Sequence, residues 1–391
     1  MQGLAGGRRV HLGFCTNVFP GETLETCLTG LRRHLPVIRR DLTGDRPFSP
    51  GLWFSAATAA ELDANPAAFH DLQAWLQTEK LDVVTLNGFP YGGFHGARVK
   101  QAVYRPDWLE EDRLTYTLQL AGLLARLLPA GETLGTISTV PLGWPARIGR
   151  GDHPLLLSRL QQLVEGLAEL ENRTGKRIAV ALEPEPFCFF EDIGAITSWY
   201  DQVIPSGDGA GLWQRYLGLC LDCCHSATVM ESPDEVMAAL HRSAMPLLKV
   251  QISSCLVADA GRPGLRAELE PFCEERYLHQ TFLRRPDGEI RRWEDLPDYL
   301  DDPLAGRDGD LRVHFHLPVF MESFGALAGS TVHLWPLLRR LVAETGVTHF
   351  EVETYTWSVL PPAFAGEGVA AQIAREVRRA AAVMELETGS P

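Results

Sequence analysis

The stretch Arg177–Pro186 reads RIAVALEPEP. It is a short apolar run with a carboxylate directly after it. A strand this apolar is buried on both faces, as in a parallel sheet covered by helices. Leu217–His225, LGLCLDCCH, repeats the arrangement with an aspartate at the strand end. Outward from these two, the same unit recurs along the chain. Strands are predicted at Val10–Cys15, Leu52–Ser55, Asp82–Leu86, Gly135–Val140, Arg177–Leu182, Leu217–Leu221, Leu247–Ile252 and His349–Glu353. Helical periodicity falls at Thr23–Leu42, Ala56–Glu79, Arg113–Leu128, Pro154–Thr174, Ile193–Val203, Asp234–His241, Val332–Glu344 and Val369–Glu385. Eight strands alternating with helices is the count of a closed α/β architecture, the (β/α)8 TIM barrel. An open doubly wound sheet is the alternative. It usually carries a glycine-rich phosphate turn after an early strand, and Gly3–Gly7 precedes the first strand instead.

One segment breaks the spacing. The stretch 281–293, TFLRRPDGEIRRW, alternates around Asp287-Gly288, a hairpin signal. A second apolar run, LRVHFHLPVF, covers Leu311–Phe320. We expect a long, partly β insertion after the seventh strand, about residues 256–328, lying over the barrel mouth. No linker or repeat divides the chain, so 1–391 is expected to be one barrel domain.

The composition narrows the function. The hydrophobic fraction of 45% and charged fraction of 22% are those of a soluble protein. Thirty-six basic against 50 acidic residues give a net charge of −14, which argues against a nucleic-acid partner. No apolar run reaches the ~18 residues of a membrane span, so no stable membrane insertion is expected. The N-terminus has no signal-peptide core, and the expected location is cytoplasmic. Eight cysteines need no disulfides in that compartment. Cys220 and Cys223 form a lone C-x-x-C, too little for a structural zinc site.

Barrel chemistry sits at the C-terminal ends of the strands. Those positions hold Asn87, Tyr91 and His95 after the third strand, and Glu183 and Glu185 after the fifth. Asp222 and His225 follow the sixth, Gln251 ends the seventh, and Glu353, Tyr355 and Trp357 follow the eighth. A carboxylate at the end of an apolar strand must be paired, protonated or bound to a metal. Glu183, Asp222 and Glu353 would face one axis and repel. A divalent cation in a mixed nitrogen and oxygen site answers that repulsion. An internal ion-pair network is the alternative, with Lys249 the basic residue best placed for it. His314 and His316 alternate onto one face of the insertion, in a run where an idle imidazole is costly to bury.

These strand-end residues carry a family resemblance. Glu183, then Asp222-x-x-His225, a polar strand-seven residue and Glu353 resemble the xylose-isomerase-like barrels. That superfamily includes sugar isomerases, epimerases and apurinic endonucleases. More closely, the chain resembles the EboE family of metabolite traffic proteins. The resemblance rests on CTNVFPGET (15–23), NGFPYGGFHGARVK (87–100), YRPDW (104–108), STVPLGW (138–144), LEPEP (182–186), LDCCH (221–225), YLHQ (277–280) and EVETYTW (351–357). It implies metal ligands at Glu183, Asp222 and Glu353, and a substrate or second-metal role for His225. Gln251 stands where the superfamily commonly has histidine. The weaker amide ligand would be compensated by the loop histidines, with His316 the ligand candidate. The resemblance also implies partner proteins of one pathway handling a lipophilic metabolite.

The expected function is a metal-dependent isomerase, epimerase or related lyase acting on a small oxygenated metabolite. The ion would be manganese, zinc, cobalt or magnesium, held by Glu183, Asp222, Gln251, His316 and Glu353. Glu183, Glu353 and His225 would be catalytic. Asn87, Tyr91, His95, Glu185, His314, Tyr355 and Trp357 would bind substrate, with Trp144 and Phe187 among the apolar walls. A metal-dependent hydrolase related to the apurinic endonucleases and a non-catalytic metabolite carrier are the alternatives. A homo-oligomer is left open.

Overall fold

Eight parallel strands carry the chain from end to end: Arg8–Phe14, Leu52–Trp53, Thr85–Asn87, Leu134–Thr139, Arg177–Leu182, Leu217–Asp222, Leu247–Ile252 and His349–Val352. This computed structural model describes residues 1–96, 98–205, 207–306, 308–361 and 368–387. From the second strand to the eighth, each pairs with its neighbours in chain order. The eighth pairs with the first, Val352 opposite Phe14. The first and second meet only at their ends, through a bridge between Cys15 and Gly51. There Gly51 N donates to Phe14 O at 3.0 Å, and Thr16 N donates to Gly51 O at 2.9 Å. The ring is closed, and the fold is a (β/α)8 barrel with a long, partly β insertion after its seventh strand.

Local chemistry explains two differences from the sequence reading. The helix expected over Ala56–Glu79 is two helices, Ala56–Ala64 and Pro66–Thr78. Asn65 caps the second by accepting Ala68 N at 3.1 Å, and Pro66 occupies its first turn, where a missing N–H costs nothing. The glycines before the first strand make a tight turn. Gly6 and Gly7 have φ of 55° and 76°, and they join an extra strand, Gln2–Ala5, antiparallel to the first.

The barrel interior also differs from expectation. The strands are apolar on the face that meets the helices, but their inner face is small or polar. Lys249 pairs with Glu351 at 2.5 Å, both fully buried. A Cβ at Gly51 would fall 1.0 Å from Glu351 Oε1, so the bulky pair needs glycine opposite it. His349 Nδ1 lies 2.9 Å from Thr136 Oγ1 in the same interior. Lys249 is therefore committed to Glu351 rather than to the strand-end carboxylates.

The insertion forms a six-stranded antiparallel sheet. Its order is Ile290–Trp293, Thr281–Arg284, Asp310–Leu317, Ser254–Asp259, Leu327–Gly329, Ser323–Phe324. The hairpin turns at Gly288, whose φ is 89°. Leu256, Leu283, Leu311, Val313 and Phe315 give this sheet an apolar cluster of its own. Its register against Ser254–Asp259 shifts between Val313 and Leu317, the span that holds both histidines. Such a shift re-aims side chains locally. Val99 N and Lys100 N both donate to Arg276 O, at 2.7 and 2.9 Å, tying the loop after the third strand to the insertion. Residue 307 of the insertion, and residues 97, 206, 362–367 and 388–391 of the expected domain, lie outside the described residues. Among the described residues, no helix is long and apolar enough to cross a membrane.

Candidate metal centre

The fifth, sixth and eighth strands end in Glu183, Asp222 and Glu353, and one carboxylate oxygen from each lies within 4.8 Å of the other two. All three are buried. Asp222 Oδ1 accepts from His225 N at 2.8 Å, capping the short helix Cys223–Thr228, and from Ser253 Oγ at 2.7 Å. Among the described residues its Oδ2 has no hydrogen-bond partner, and neither has Glu183 Oε2. Glu353 Oε1 accepts from Asn17 Nδ2 at 2.8 Å and Asn87 Nδ2 at 2.9 Å. Burial, then repulsion from Asp222, pushes Glu353 up to about 8. Burial, then the charges of Glu353 and Asp222, raises Glu183 well above the carboxylate range. Gln251 is fully buried, and neither its amide nitrogen nor its amide oxygen has a partner among the described residues. Orphaned acceptors packed at this density are a strong demand for a cation.

Beside the carboxylates stand three histidines. His225 Nδ1 lies 2.8 Å from Pro184 O, and His316 Nδ1 lies 2.8 Å from Glu353 O. A carbonyl only accepts, so both Nδ1 atoms carry the hydrogen and both Nε2 atoms bear lone pairs in the neutral ring. His314 Nδ1 lies 2.7 Å from Gln280 Oε1, with the same consequence. The Nε2 atoms of His314 and His316 are 3.2 Å apart. Burial depresses all three histidines, His225 to about 4. A proton between the rings is therefore disfavoured. Asp222, His225 and His316 form a second group with ligand atoms within 4.8 Å; Glu185, His225 and His314 form a third. Asp222 thus belongs both to the oxygen-rich group and to a nitrogen-rich one.

Glu185 adds a carboxylate on the outer side. Its Oε2 is 3.0 Å from His225 Nε2, and its Oε1 accepts from Tyr104 Oη at 3.1 Å. Burial is the first cause that raises it well above the carboxylate range, and Asp222 the second. Above this lies a cavity with Glu183, Glu185, His225, His314, His316 and Glu353 at its base. Asn17, Asn87, Phe89, Phe94, Tyr104, Tyr277 and Tyr355 are among its walls. Tyr277 and Tyr355 pack at 4.9 Å between ring centres, and Tyr355 covers His316 at 4.6 Å.

The structure does not bring every expected residue here. Tyr91 packs on Tyr116 at 5.0 Å with Arg113 beside it, outside the cavity wall. His95 reaches Asn17 O with Nε2 at 2.8 Å and so backs a wall residue. Trp357 packs toward Phe320. Trp144 and Phe187 stand one layer out, Trp144 stacked on Tyr104 at 5.0 Å. His316 groups with Asp222 and His225 rather than with all three carboxylates. Sequence reasoning passed over Asn17, Tyr104 and Gln280. Asn17 follows the first strand closely enough to be found by reading that strand end as well. Tyr104 and Gln280 gave no positional signal.

No family model matches the chain, and no curated protein matches it. The EboE resemblance therefore rests on its motifs alone. Solved structures with a similar course include the probable 3-DHS dehydratase AsbF of Bacillus anthracis, at 11% identity and TM-score 0.49, covering 94% of this chain and 97% of that one. The IolI protein with a bound zinc atom is similar at 12% identity and TM-score 0.48, covering 96% and 98%. A xylose isomerase domain protein from Planctomyces limnophilus gives 12% and 0.47, covering 89% and 90%.

Proposed function

We propose that this chain is a metal-dependent enzyme that moves a proton next to a carbonyl or hydroxyl carbon of a small oxygenated metabolite, as an isomerase, epimerase or related lyase does. The observation that carries the reading is the 3.2 Å approach of two imidazole nitrogens that both present lone pairs. Two nitrogens at about 2.0–2.1 Å from a tetrahedral ion stand about 3.3 Å apart. Glu183, Asp222 and Glu353, with Gln251 behind them, would hold one divalent ion. His225, His314 and His316, with Asp222 shared, would hold a second. Oxygen donors suit magnesium or manganese, and the imidazoles favour manganese, cobalt or zinc. A bound ion supplies Lewis acidity toward a substrate oxygen.

The protein's own groups do the rest. Glu183 and Glu353 flank the base of the cavity, where either can take and return a proton. Glu353 is kept in place by Asn17 and Asn87. His225 is oriented by the Pro184 carbonyl at Nδ1, so its Nε2, 3.0 Å from Glu185, would face the ion and the substrate oxygen bound there. Tyr277 and Tyr355 wall the cavity against water, so a substrate with one apolar face fits beside them. In this reading 1–391 acts as one barrel domain, and residues 256–328 cover its mouth.

Incubation of metal-loaded protein with a panel of small hydroxy-ketones and polyols in deuterated water tests the proposal. The expected result is solvent deuterium at the carbon beside a carbonyl of at least one compound, lost in Glu183→Gln. No exchange with any of the four metals would overturn it in favour of a binding role.

A further inference from the structure

Gln280 precedes the hairpin strand Thr281–Arg284 and is fully buried. Thr281 pairs with Val313, so the ladder sets Gln280 beside His314. The amide nitrogen of Gln280 donates to Pro186 O at 3.2 Å and to Tyr104 Oη at 2.8 Å. Because a carbonyl only accepts, Pro186 determines which end of the amide is nitrogen. The reversed amide would set two oxygens against each other. The amide oxygen then accepts from His314 Nδ1 at 2.7 Å. At the other end, Tyr104 receives a hydrogen from Gln280 and has one of its own to give. Glu185 Oε1, 3.1 Å away, accepts it.

We propose that Gln280 is a positioning residue for the centre: its amide holds His314 with Nε2 bare toward His316 and commits the Tyr104 hydroxyl to Glu185. The consequence for metal uptake rests on the reading of the histidines as ligands. Without the amide oxygen, His314 can move its hydrogen to Nε2. At 3.2 Å that hydrogen would bond to His316 Nε2 and close the space between the rings. A direct histidine–histidine hydrogen bond and a shared ion are mutually exclusive, and Gln280 selects against the first. The same amide reaches Glu185 through Tyr104, so one side chain sets the hydrogen-bond direction on both flanks of the site.

The test has two readouts. The first is the nitrogen-15 spectrum of histidine-labelled, metal-free protein, with the His314 signals assigned by their loss in His314→Gln. Wild type is expected to show the Nδ1–H form at His314, and Gln280→Leu the Nε2–H form. The second is titration with Co2+, followed by calorimetry and visible absorption. Gln280→Leu should weaken the nitrogen-rich ion by about 10–100-fold, the loss seen when a ligand's supporting partner is removed, and leave the oxygen-rich ion in place. Gln280→Glu, which keeps an acceptor for Nδ1 but sets its second oxygen against Pro186 O, should keep the Nδ1–H form at His314 in the nitrogen-15 spectrum. An Nε2–H His314 in wild type overturns the inference whatever the metal does, and still decides it if Gln280→Leu does not fold. Two ions bound equally by wild type and Gln280→Leu would overturn the inference alone. A single ion in wild type overturns the two-ion reading and the metal consequence with it.

Discussion

His314 and His316 face each other through Nε2 atoms 3.2 Å apart, and neither has a hydrogen to offer, because each Nδ1 hydrogen is committed to Gln280 Oε1 or to the Glu353 carbonyl. Two lone pairs at that distance repel unless a cation sits between them. The insertion brings both rings; the barrel brings Cys224 to the pair, His225 to each ring, and Asp222 to His316.

The first prediction concerns these two rings. His316 is the expected ligand and His314 the expected substrate contact, and their Nε2 atoms face one space 3.2 Å across. His314→Ala and His316→Ala should therefore lower affinity for the nitrogen-rich ion alike, by about 100-fold or more, since loss of an outer partner alone costs ~10–100-fold. Calorimetric titration at limiting Co2+ checks this. Wild-type affinity in His314→Ala would return that ring to a substrate role.

Proton and metal compete for Glu353. Its folded value of about 8 lies above the ordinary 4.5, so the metal-free fold keeps a proton that the unfolded chain releases. That proton's stabilising contribution is complete below about pH 4.5 and is lost as pH rises through about 8. The melting temperature of metal-free protein should fall across that window. Glu353→Gln should flatten the slope, while Glu376, also raised to about 7, keeps part of it. Metal affinity should run the other way and rise toward pH 8, with proton release on binding. A pH-independent affinity in calorimetry would contradict the assignment.

Asn17 and Asn87 both donate to Glu353 Oε1. Loss of the Asn17 N–H removes a contact that favours the carboxylate, so Asn17→Ala should move the pH midpoint of metal uptake upward. A hydrogen bond to a charged group contributes about 1.5–3 kcal/mol. Metal titrations at several pH values measure the shift, and an unchanged midpoint would separate Asn17 from the centre.

Lys249 and Glu351 form a buried pair inside the barrel. Lys249→Met should destabilise by about 3–5 kcal/mol, because it strands a buried carboxylate. Lys249→Met with Glu351→Leu should recover much of that loss in chemical denaturation. A double variant no more stable than the single one would mean that packing, not charge, holds this layer.

The sequence makes the barrel legible because its signals are local. RIAVAL and LGLCLD are buried strands from composition alone, and Asp287-Gly288 announces the hairpin now seen at Thr281–Arg284 and Ile290–Trp293. The Asn65-Pro66 break is equally local and readable from a capping residue before proline. The polar interior is harder to foresee, since Lys249 and Glu351 meet only when the seventh and eighth strands pair in register. Glu183, Asp222 and Glu353 stand out because a carboxylate after an apolar strand needs a reason. Gln280 and Tyr104 do not, because their meaning comes from the Pro186 carbonyl and a ladder between distant segments. Tyr91 and Trp357 look similar to Tyr355 in sequence, and only the paths of their loops separate them.

The most direct test of the account is the metal content of the wild-type chain. Protein purified without chelator and dialysed at pH 8 should retain tightly held divalent ion by elemental analysis, with two per chain at saturation. Glu183→Gln and His316→Ala should each lose one. Wild-type protein that retains no more ion than a variant lacking Glu183, Asp222, Glu353 and all three histidines would contradict the account.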